Sequence, residues 1–281
     1  MKLSVAVTAV LASLMLVSST LASLVLTSAP AAAAVAPGPG PKGYDVSYPQ
    51  CSGALPADQA FGIVAVNAGL ANTTNPCLDD EIGWAIDSAG GTRQPRVSLY
   101  VNTAEPGNKS VTDWPVNNLD PLGHWHVTDP YGRCVGGNGP ACAWQYGWNL
   151  AEGDAQSRGV PNPRSYRWWL DVETINSWQS GATLNRADLE GMVSYLRHIG
   201  ASAGIYSTAR QFGPLMGPVG KTSPLYRLPD WIPGANTLAQ ARKNCRLAPL
   251  TGGGTVTLTQ WKTKPALSDY SCPPPPKAKK R

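Results

Sequence analysis

Seven short apolar runs, separated by helix-like or loop segments, constrain the fold of this chain more than any other feature. An eighth candidate lies near residues 268–270. Strands that alternate with helices pair in parallel through right-handed crossovers. The pattern therefore predicts a closed α/β barrel rather than an open sheet. The seven runs are GYDVS (43–47), FGIVAVN (61–67), VSLYVN (97–102), WWLDVE (168–173), AGIYS (203–207), DWIPGA (230–235) and TVTLTQW (255–261).

Two segments between these runs have the pattern of helices. CLDDEIGWAIDSAG (77–90) is helix-like and ends in glycine. NRADLEGMVSYLRHIG (185–200) places Leu189, Met192, Val193 and Leu196 at helical spacing, which predicts a helix capped by Asn185 and ended by Gly200.

Residues 103–165 interrupt this alternation. The segment is rich in Gly, Pro and Asn, carries Cys134 and Cys142, and is too long for a plain connection. It is predicted to be a functional insertion, or a crossover with a folded loop of its own. CAWQYGWNLAEGDAQSRG (142–159) within it is predicted to be helical.

The two ends of the chain differ from the body. Residues 1–36 combine an early lysine, a long apolar stretch and AAAAVA, which predicts a secretory signal peptide, although the stretch is also long enough for a membrane anchor. Residues 37–42 are predicted to be a linker, and residues 43–272 the barrel. The tail PPPPKAKKR (273–281) is either a solvated terminus or a contact for an anionic surface such as a cell wall.

The charge of the body excludes one class of partner. The net charge is +5, but Lys2 contributes one positive charge and the tail four, so the rest of the chain is neutral. A basic patch for nucleic acid is therefore not supported. No segment after the signal peptide is apolar for long enough to cross a bilayer, which predicts no stable membrane insertion after cleavage.

Six cysteines follow the predicted signal peptide, which in an exported chain indicates three disulfides. Fifteen pairings are possible, and we expect sequence neighbours to pair: Cys51–Cys77, Cys134–Cys142 and Cys245–Cys272. None has the Cys-x-x-Cys spacing of a zinc site. His124 and His126 flank Trp125, but no third ligand is near in sequence, so an ordinary polar loop is favoured over a metal site.

The run WWLDVE ends in two acids at alternate positions. Residues i and i+2 of a strand point to the same side, so Asp171 and Glu173 should project together, with Leu170 and Val172 on the other face. Two adjacent carboxylates raise the pKa of one of them, as general acid catalysis requires. Alternatively, the pair lies in a loop, caps a helix or binds one of the arginines at 164, 167 and 186.

Tryptophan and tyrosine greatly outnumber phenylalanine, with ten, ten and two residues. Their flat faces and polar edges suit stacking on sugar rings beside hydroxyl hydrogen bonds, although several are expected simply to pack the barrel. Trp168 and Trp169 are expected to be at least partly structural.

An ordered set of motifs resembles the glycoside hydrolase family 25 lysozymes. It comprises GYDVS, LDVE, GIYST, DWIPGAN, and TQW followed by Asp269. The resemblance implies an irregular (β/α)8 TIM-like barrel in a divergent, secreted bacterial member. It also implies cleavage of peptidoglycan between N-acetylmuramic acid and N-acetylglucosamine, with no metal and no organic cofactor. We expect a monomer.

The resemblance also implies residue roles. Glu173 matches the general acid, Asp171 matches the acid that steers or polarises the acetamido group, and Asp45 matches a further acid of the active-site floor. Residues that match or are predicted to bind substrate are Asp269, Tyr206, Tyr100 and Trp261.

Two segments depart from the family pattern. NAGLANTTNPC (67–77) occurs where a short acidic or threonine-rich segment is common, and YVNTAEPG (100–107) occurs where an aromatic–histidine pair is usual. The sequence thus favours a secreted hydrolase, and leaves open a non-catalytic glycan-binding protein on the same barrel. A phosphodiesterase barrel fits poorly, because the three histidines lie in the insertion and at a helix end.

Overall fold

The predicted closed barrel is confirmed in a computed structural model that describes residues 41–125, 128–264 and 266–274. The predicted signal peptide and residues 275–281 of the tail lie outside the described residues. The first strand starts at Lys42, inside the predicted linker. The eight strands, neighbours in chain order, are β1 (Lys42–Val46), β2 (Gly62–Ala65), β3 (Val97–Asn102), β4 (Arg167–Asp171), β5 (Ser202–Tyr206), β6 (Pro229–Ala235), β7 (Thr255–Trp261) and β8 (Leu267–Ser271).

The last strand runs against its neighbours. Strands β1 to β7 pair in parallel, whereas β8 is antiparallel to both β7 and β1. The expectation of parallel pairing was therefore wrong for this strand. The reason is the connection at 262–266, which is too short for the dozen or more residues that a parallel crossover needs.

Five helices surround the described barrel: α1 (Leu78–Ile86), α2 (Pro140–Gln156), α3 (Ala182–His198), α4 (Ala209–Met216) and α5 (Leu238–Asn244). Helix α3 begins before Asn185, so the predicted cap is wrong. The Asn185 side chain instead bonds the backbone of Gln179 and Leu215. Gly200 follows the helix with a φ of +82°, as expected of a glycine stop.

Helices α2 and α3 pack closely through two glycines. A Cβ on Gly147 would lie 1.9 Å from the carbonyl oxygen of Asp188, and one on Gly191 would lie 1.9 Å from that of Trp144. Any side chain at either position would force the helices apart, and α2 is the helical part of the insertion.

Alternation along the strands separates two hydrophobic clusters. Trp169 and Trp231 lie inside the barrel with Phe61, Ile63 and Leu258. Trp168, Leu170 and Val172 belong to the larger cluster that includes the helices. Both tryptophans of the WWLDVE run are thus buried.

The three expected disulfides are confirmed: Cys51–Cys77, Cys134–Cys142 and Cys245–Cys272. The first joins the chain after β1 to the residue before α1. The second closes a loop of the insertion onto α2, and the third joins the end of α5 to the residue after β8. Over the described ranges, no helix has both the length and the apolar character that a bilayer crossing demands.

Candidate active site

Asp171 is the last residue of β4 and is nearly inaccessible to solvent, with 6% of its surface exposed. Its Oδ2 accepts a hydrogen bond from Nδ2 of Asn102 at 3.2 Å, and its Oδ1 has no hydrogen-bond partner among the described residues. Burial raises the pKa of Asp171 well above its ordinary value, and the nearby charges of Glu173 and Asp45 raise it further. Within the Asp171–Glu173 pair the raised pKa therefore falls on Asp171, which is not the residue that the resemblance matches to the general acid.

The alternative partners of the pair are not used. Arg167 donates to Oε1 of Gln94 at 3.2 Å, and Arg186 donates to the carbonyl of Met216 at 2.7 Å. The exposed Arg164 lies in a short 3₁₀ turn before β4. The pKa of Asp171 is therefore set by burial and by the neighbouring acids rather than by an arginine.

Glu173 lies two residues beyond the end of β4 and is half-buried. Nε2 of Gln211 approaches its Oε1 at 3.4 Å. Its backbone carbonyl accepts hydrogen bonds from Nε1 of Trp178 at 2.8 Å and from the amide of Asn176 at 3.1 Å. Glu173 therefore combines a fixed backbone with a carboxyl at the accessible edge of the site.

Asp45 and Asp269 form a second pair of acids inside the barrel, on β1 and β8. Their carboxyls lie close enough to affect each other's pKa. Nε2 of Gln260 donates to Oδ2 of Asp45 at 3.0 Å, and Nε1 of Trp231 donates to Oδ1 of Asp269 at 2.7 Å. Burial raises the pKa of Asp45 to about 6. Burial and the charge of Asp45 raise the pKa of Asp269 well above its ordinary value.

Tyr100 and Tyr206 lie between the two acid pairs. Their rings pack edge-on against Trp231, with centroid distances of 6.1 Å and 4.5 Å. The hydroxyl of Tyr206 donates to Oε1 of Gln260 at 3.2 Å. Burial, with the charges of Asp45 and Asp171, raises the pKa of both phenols, so both remain neutral hydrogen-bonding groups.

Trp261 is not brought into this group. It packs with Ala235 and Ala241 against α5, outside the barrel, whereas the preceding Gln260 points inward to Asp45. Sequence reasoning missed Gln260, Trp231 and Asn102 as site residues. For Gln260 the available signal was the alternation of side chains along β7. Leu258 faces the interior, so Gln260, two positions later, must face it too.

Metal-ligating groups are sparse. Among the described residues, the one grouping with suitable distances is Cys51, Cys77 and Glu81, whose two sulfurs are bonded to each other. Nδ1 of His124 lies 3.5 Å from Oδ2 of Asp120, and His126 lies outside the described residues. Asp45, Asp171, Glu173 and Asp269 are the acids that the barrel brings together for chemistry.

Comparison with known proteins gives a short sequence match and a set of structures with the same fold. No family model matches the chain. A stretch of 49 residues is 41% identical to a Dictyostelium discoideum protein described as "Probable GH family 25 lysozyme 4". That stretch is 17% of this chain and spans 22% of the length of that relative.

Three solved structures share the fold. They are the muramidases from Trichobolus zukalii (16% identity, TM-score 0.51) and Acremonium alcalophilum (13%, 0.51), and a family GH25 lysozyme from Aspergillus fumigatus (15%, 0.50). Each alignment covers 83% of this chain and 94% of the other. The chain therefore has the mixed eight-stranded barrel of these enzymes. These relatives are fungal or from Dictyostelium, so the expected bacterial origin gains no support from them.

Proposed function

We propose that the protein is a secreted glycoside hydrolase of the family 25 lysozyme type that cleaves the glycan strands of peptidoglycan. The observation that carries this proposal is the convergence of four carboxyls at one end of a barrel shared with muramidases. Barrel enzymes build their sites at the carboxyl ends of the strands. The four residues are Asp45, Asp171, Glu173 and Asp269.

Glu173 is assigned as the general acid. Its half-buried carboxyl at the edge of the site is accessible to a glycosidic oxygen, whereas Asp171 and Asp269 are buried. Protonation of the leaving oxygen leaves positive charge on the sugar ring in the transition state. Buried carboxylates stabilise that charge strongly, because little water is present to screen it.

Asp171 is assigned to the acetamido group of the substrate. Its Oδ1 is a buried acceptor with no partner among the described residues, so a substrate N–H can bind it. Positive charge developing above it favours its ionised form, which opposes the raised pKa of the free protein. Substrate binding should therefore favour the ionised form of Asp171.

The surroundings fit a glycan ligand and an exported chain. Tyr100 and Tyr206 contribute aromatic surface and hydroxyl groups beside the acids, as sugar binding requires. Three disulfides are typical of an oxidising, extracellular environment. We propose a monomer that acts outside the cell, with the cell wall as its site of action.

The test is release of reducing ends from purified peptidoglycan by the full mature chain. Glu173→Gln should lower the rate by about 10²–10⁴-fold, because glutamine cannot transfer a proton. Asp171→Asn should also be severe, because it removes the charge that faces the transition state. Asp230→Asn is a matched control, since Asp230 is a buried acid in the first half of β6 that accepts from the backbone amide of Leu250 at 2.9 Å.

A pull-down on the same peptidoglycan separates hydrolysis from binding. Glu173→Gln should bind like the unmodified protein. Activity of Glu173→Gln close to that of the unmodified protein would exclude Glu173 as the acid. An unmodified protein that binds but releases no reducing ends would instead be a glycan-binding protein on this barrel.

A further inference from the structure

A chain of hydrogen bonds connects Asp171 to the insertion helix α2. Asn102 donates through Nδ2 to Oδ2 of Asp171 at 3.2 Å. Its backbone amide donates to Oδ1 of Asn67 at 2.8 Å. Nδ2 of Asn67 donates to Oδ1 of Asp154 at 2.9 Å, and Nε of Arg158 donates to the same oxygen at 2.6 Å. These hydrogen bonds therefore connect the ends of β2, β3 and β4 with helix α2.

The orientation of the Asn67 amide is determined by its neighbours. The Asp154 carboxylate and the carbonyls of Ala71 and Thr73 are acceptors, so the NH2 group of Asn67 must face them. Oδ1 is then left for the backbone amide of Asn102 at the end of β3. A flipped amide would place oxygen against three acceptors, so the end of β3 is fixed in one arrangement.

Asp154 and Arg158 have no part in the proposed chemistry, yet they form a buried ion pair. The Asp154 side chain is 1% exposed, and burial raises its pKa to about 6 against the opposing charge of Arg158. Arg158 is itself held by Thr74 Oγ1 at 3.0 Å and the carbonyl of Ala71 at 3.2 Å. A buried ion pair is weak evidence for added stability, so its value here is sought in the geometry that it fixes.

Both asparagines lie in the segments that depart from the family pattern. Asn67 begins NAGLANTTNPC and Asn102 lies within YVNTAEPG. We infer that Asn102 and Asn67, held by the Asp154–Arg158 pair, are positioning residues that orient the Asp171 carboxylate and favour its ionised form. The effect of these residues on catalysis rests on the proposed function. Their effect on the ionisation of Asp171 does not.

The other groups around Asp171 disfavour its ionised form. Glu173 and Asp45 are acids, and Tyr100 and Tyr206 are phenols whose own ionisation Asp171 opposes. In the described part of the chain, Nδ2 of Asn102 is the one side-chain donor to the Asp171 carboxylate. An N–H donor favours the charged form of a carboxyl, so its removal should make Asp171 harder to ionise.

The test is an NMR titration of the Asp171 side-chain carboxyl in the full mature chain labelled with ¹³C-aspartate. The Asp171 signal is assigned by its loss in Asp171→Asn. Asn102→Ala should move the titration midpoint to higher pH, and Asn67→Ala should move it in the same direction by a smaller amount. Asp154→Asn provides the same test if Asn67→Ala does not fold.

Asp129→Asn is the matched control. Asp129 is also a buried acid of the insertion with a pKa raised to about 6, but it accepts from Asn118 and the backbone amide of Tyr131 instead. This variant should leave the Asp171 titration unchanged. An unchanged midpoint in folded Asn102→Ala, or a shift in Asp129→Asn as large as in Asn102→Ala, would overturn the inference.

The titration needs no turnover, so it is independent of the proposed function. If reducing ends are released, Asn102→Ala should lower kcat more than it changes KM and should move the acidic limb of the pH–rate profile to higher pH. A merely structural role would lower stability without moving that limb. Absence of activity in the unmodified protein would contradict the proposed function and leave the titration result standing.

Discussion

Asp45 and Asp269 lie close together where the last strand of the barrel meets the first, and the charge of Asp45 raises the pKa of the buried Asp269. The antiparallel pairing of β8 with β1 sets Asp269 opposite Gly43. Two carboxylates in contact repel each other, so the pair holds one proton. The proton is shared by the pair: Gln260 donates to Asp45 and Trp231 donates to Asp269, while the charge of Asp45 raises the pKa of Asp269.

Asp269→Asn should therefore be mild and Asp269→Ala severe. Asparagine can accept from Trp231 through Oδ1 and donate to Asp45 through Nδ2, as protonated Asp269 does. Alanine leaves a buried indole N–H without a partner, which costs about 1–3 kcal/mol. We expect reducing-end release to fall about 10-fold or more in Asp269→Ala and much less in Asp269→Asn. Equal losses in the two variants would show that the shared proton is not the relevant feature.

Trp178→Phe should lower kcat with little change in KM. Trp178 fixes the backbone of Glu173 through the 2.8 Å bond from Nε1, and phenylalanine keeps the ring but loses this donor. A lost hydrogen bond of about 1 kcal/mol corresponds to roughly fivefold in rate if the bond serves the transition state.

Trp84→Phe is the control for this experiment. Nε1 of Trp84 donates to the carbonyl of Pro56 at 2.6 Å, and the ring packs beside Gly62 at the start of β2. This variant should lose a comparable amount of stability, measured by thermal denaturation, without a change in kcat. A kcat loss that merely follows the melting temperature in both variants would contradict a role for Trp178 in placing Glu173.

The sequence predicted the strands well and the contacts between them poorly. Each apolar run became a strand, because strand burial depends on local alternation. The antiparallel direction of β8 was missed because it depends on the short connection at 262–266. Trp261 was predicted to bind substrate and Gln260 was not considered, but the alternation of β7 turns Gln260 inward and Trp261 outward.

The bonds among Asn67, Asn102 and Asp154 could not be predicted. Asn67 and Asp154 are 87 positions apart, and their contact depends on the packing of the insertion helix against the loop after β2. The Asp171–Glu173 pair could be predicted, because both members belong to one extended segment. A local pattern thus predicted Asp171 and Glu173, the family resemblance supplied Asp45 and Asp269, and tertiary packing determined the groups that orient them.

Removal of the disulfides should destabilise the chain unequally. The Cys51–Cys77 and Cys245–Cys272 bonds join residues 26 and 27 positions apart, whereas Cys134 and Cys142 are 8 apart. Loop-closure entropy gives about 3.5 kcal/mol for the longer loops and about 2.5 kcal/mol for the shorter one. Paired Cys→Ser variants should therefore lose least stability at Cys134–Cys142 in chemical denaturation. Free thiols in the native oxidised protein would contradict the three-bond arrangement.

Stability should fall as the pH rises from about 4 towards 7. Burial raises the pKa of Glu81 to about 7 and that of Asp154 to about 6, above their ordinary values of 4.5 and 3.8. Between the unfolded and folded pKa values the native state binds more protons than the unfolded state, so the free energy of unfolding decreases with pH. The melting temperature should be higher at pH 5 than at pH 8. A higher melting temperature at pH 8 would contradict this prediction.

Glu81→Gln tests the same effect at one site. Oε2 of Glu81 accepts from Nδ2 of Asn75 at 2.7 Å, and a glutamine oxygen can replace it without introducing a charge into a buried position. The variant should gain on the order of 1–2 kcal/mol of unfolding free energy at pH 8 and nothing at pH 4, where the glutamate is already protonated. Asp79→Asn, an exposed change of the same charge on α1, should show no such pH-dependent gain. A Glu81→Gln variant that is equally destabilised at both pH values would show that the ionised glutamate is not the source of the penalty.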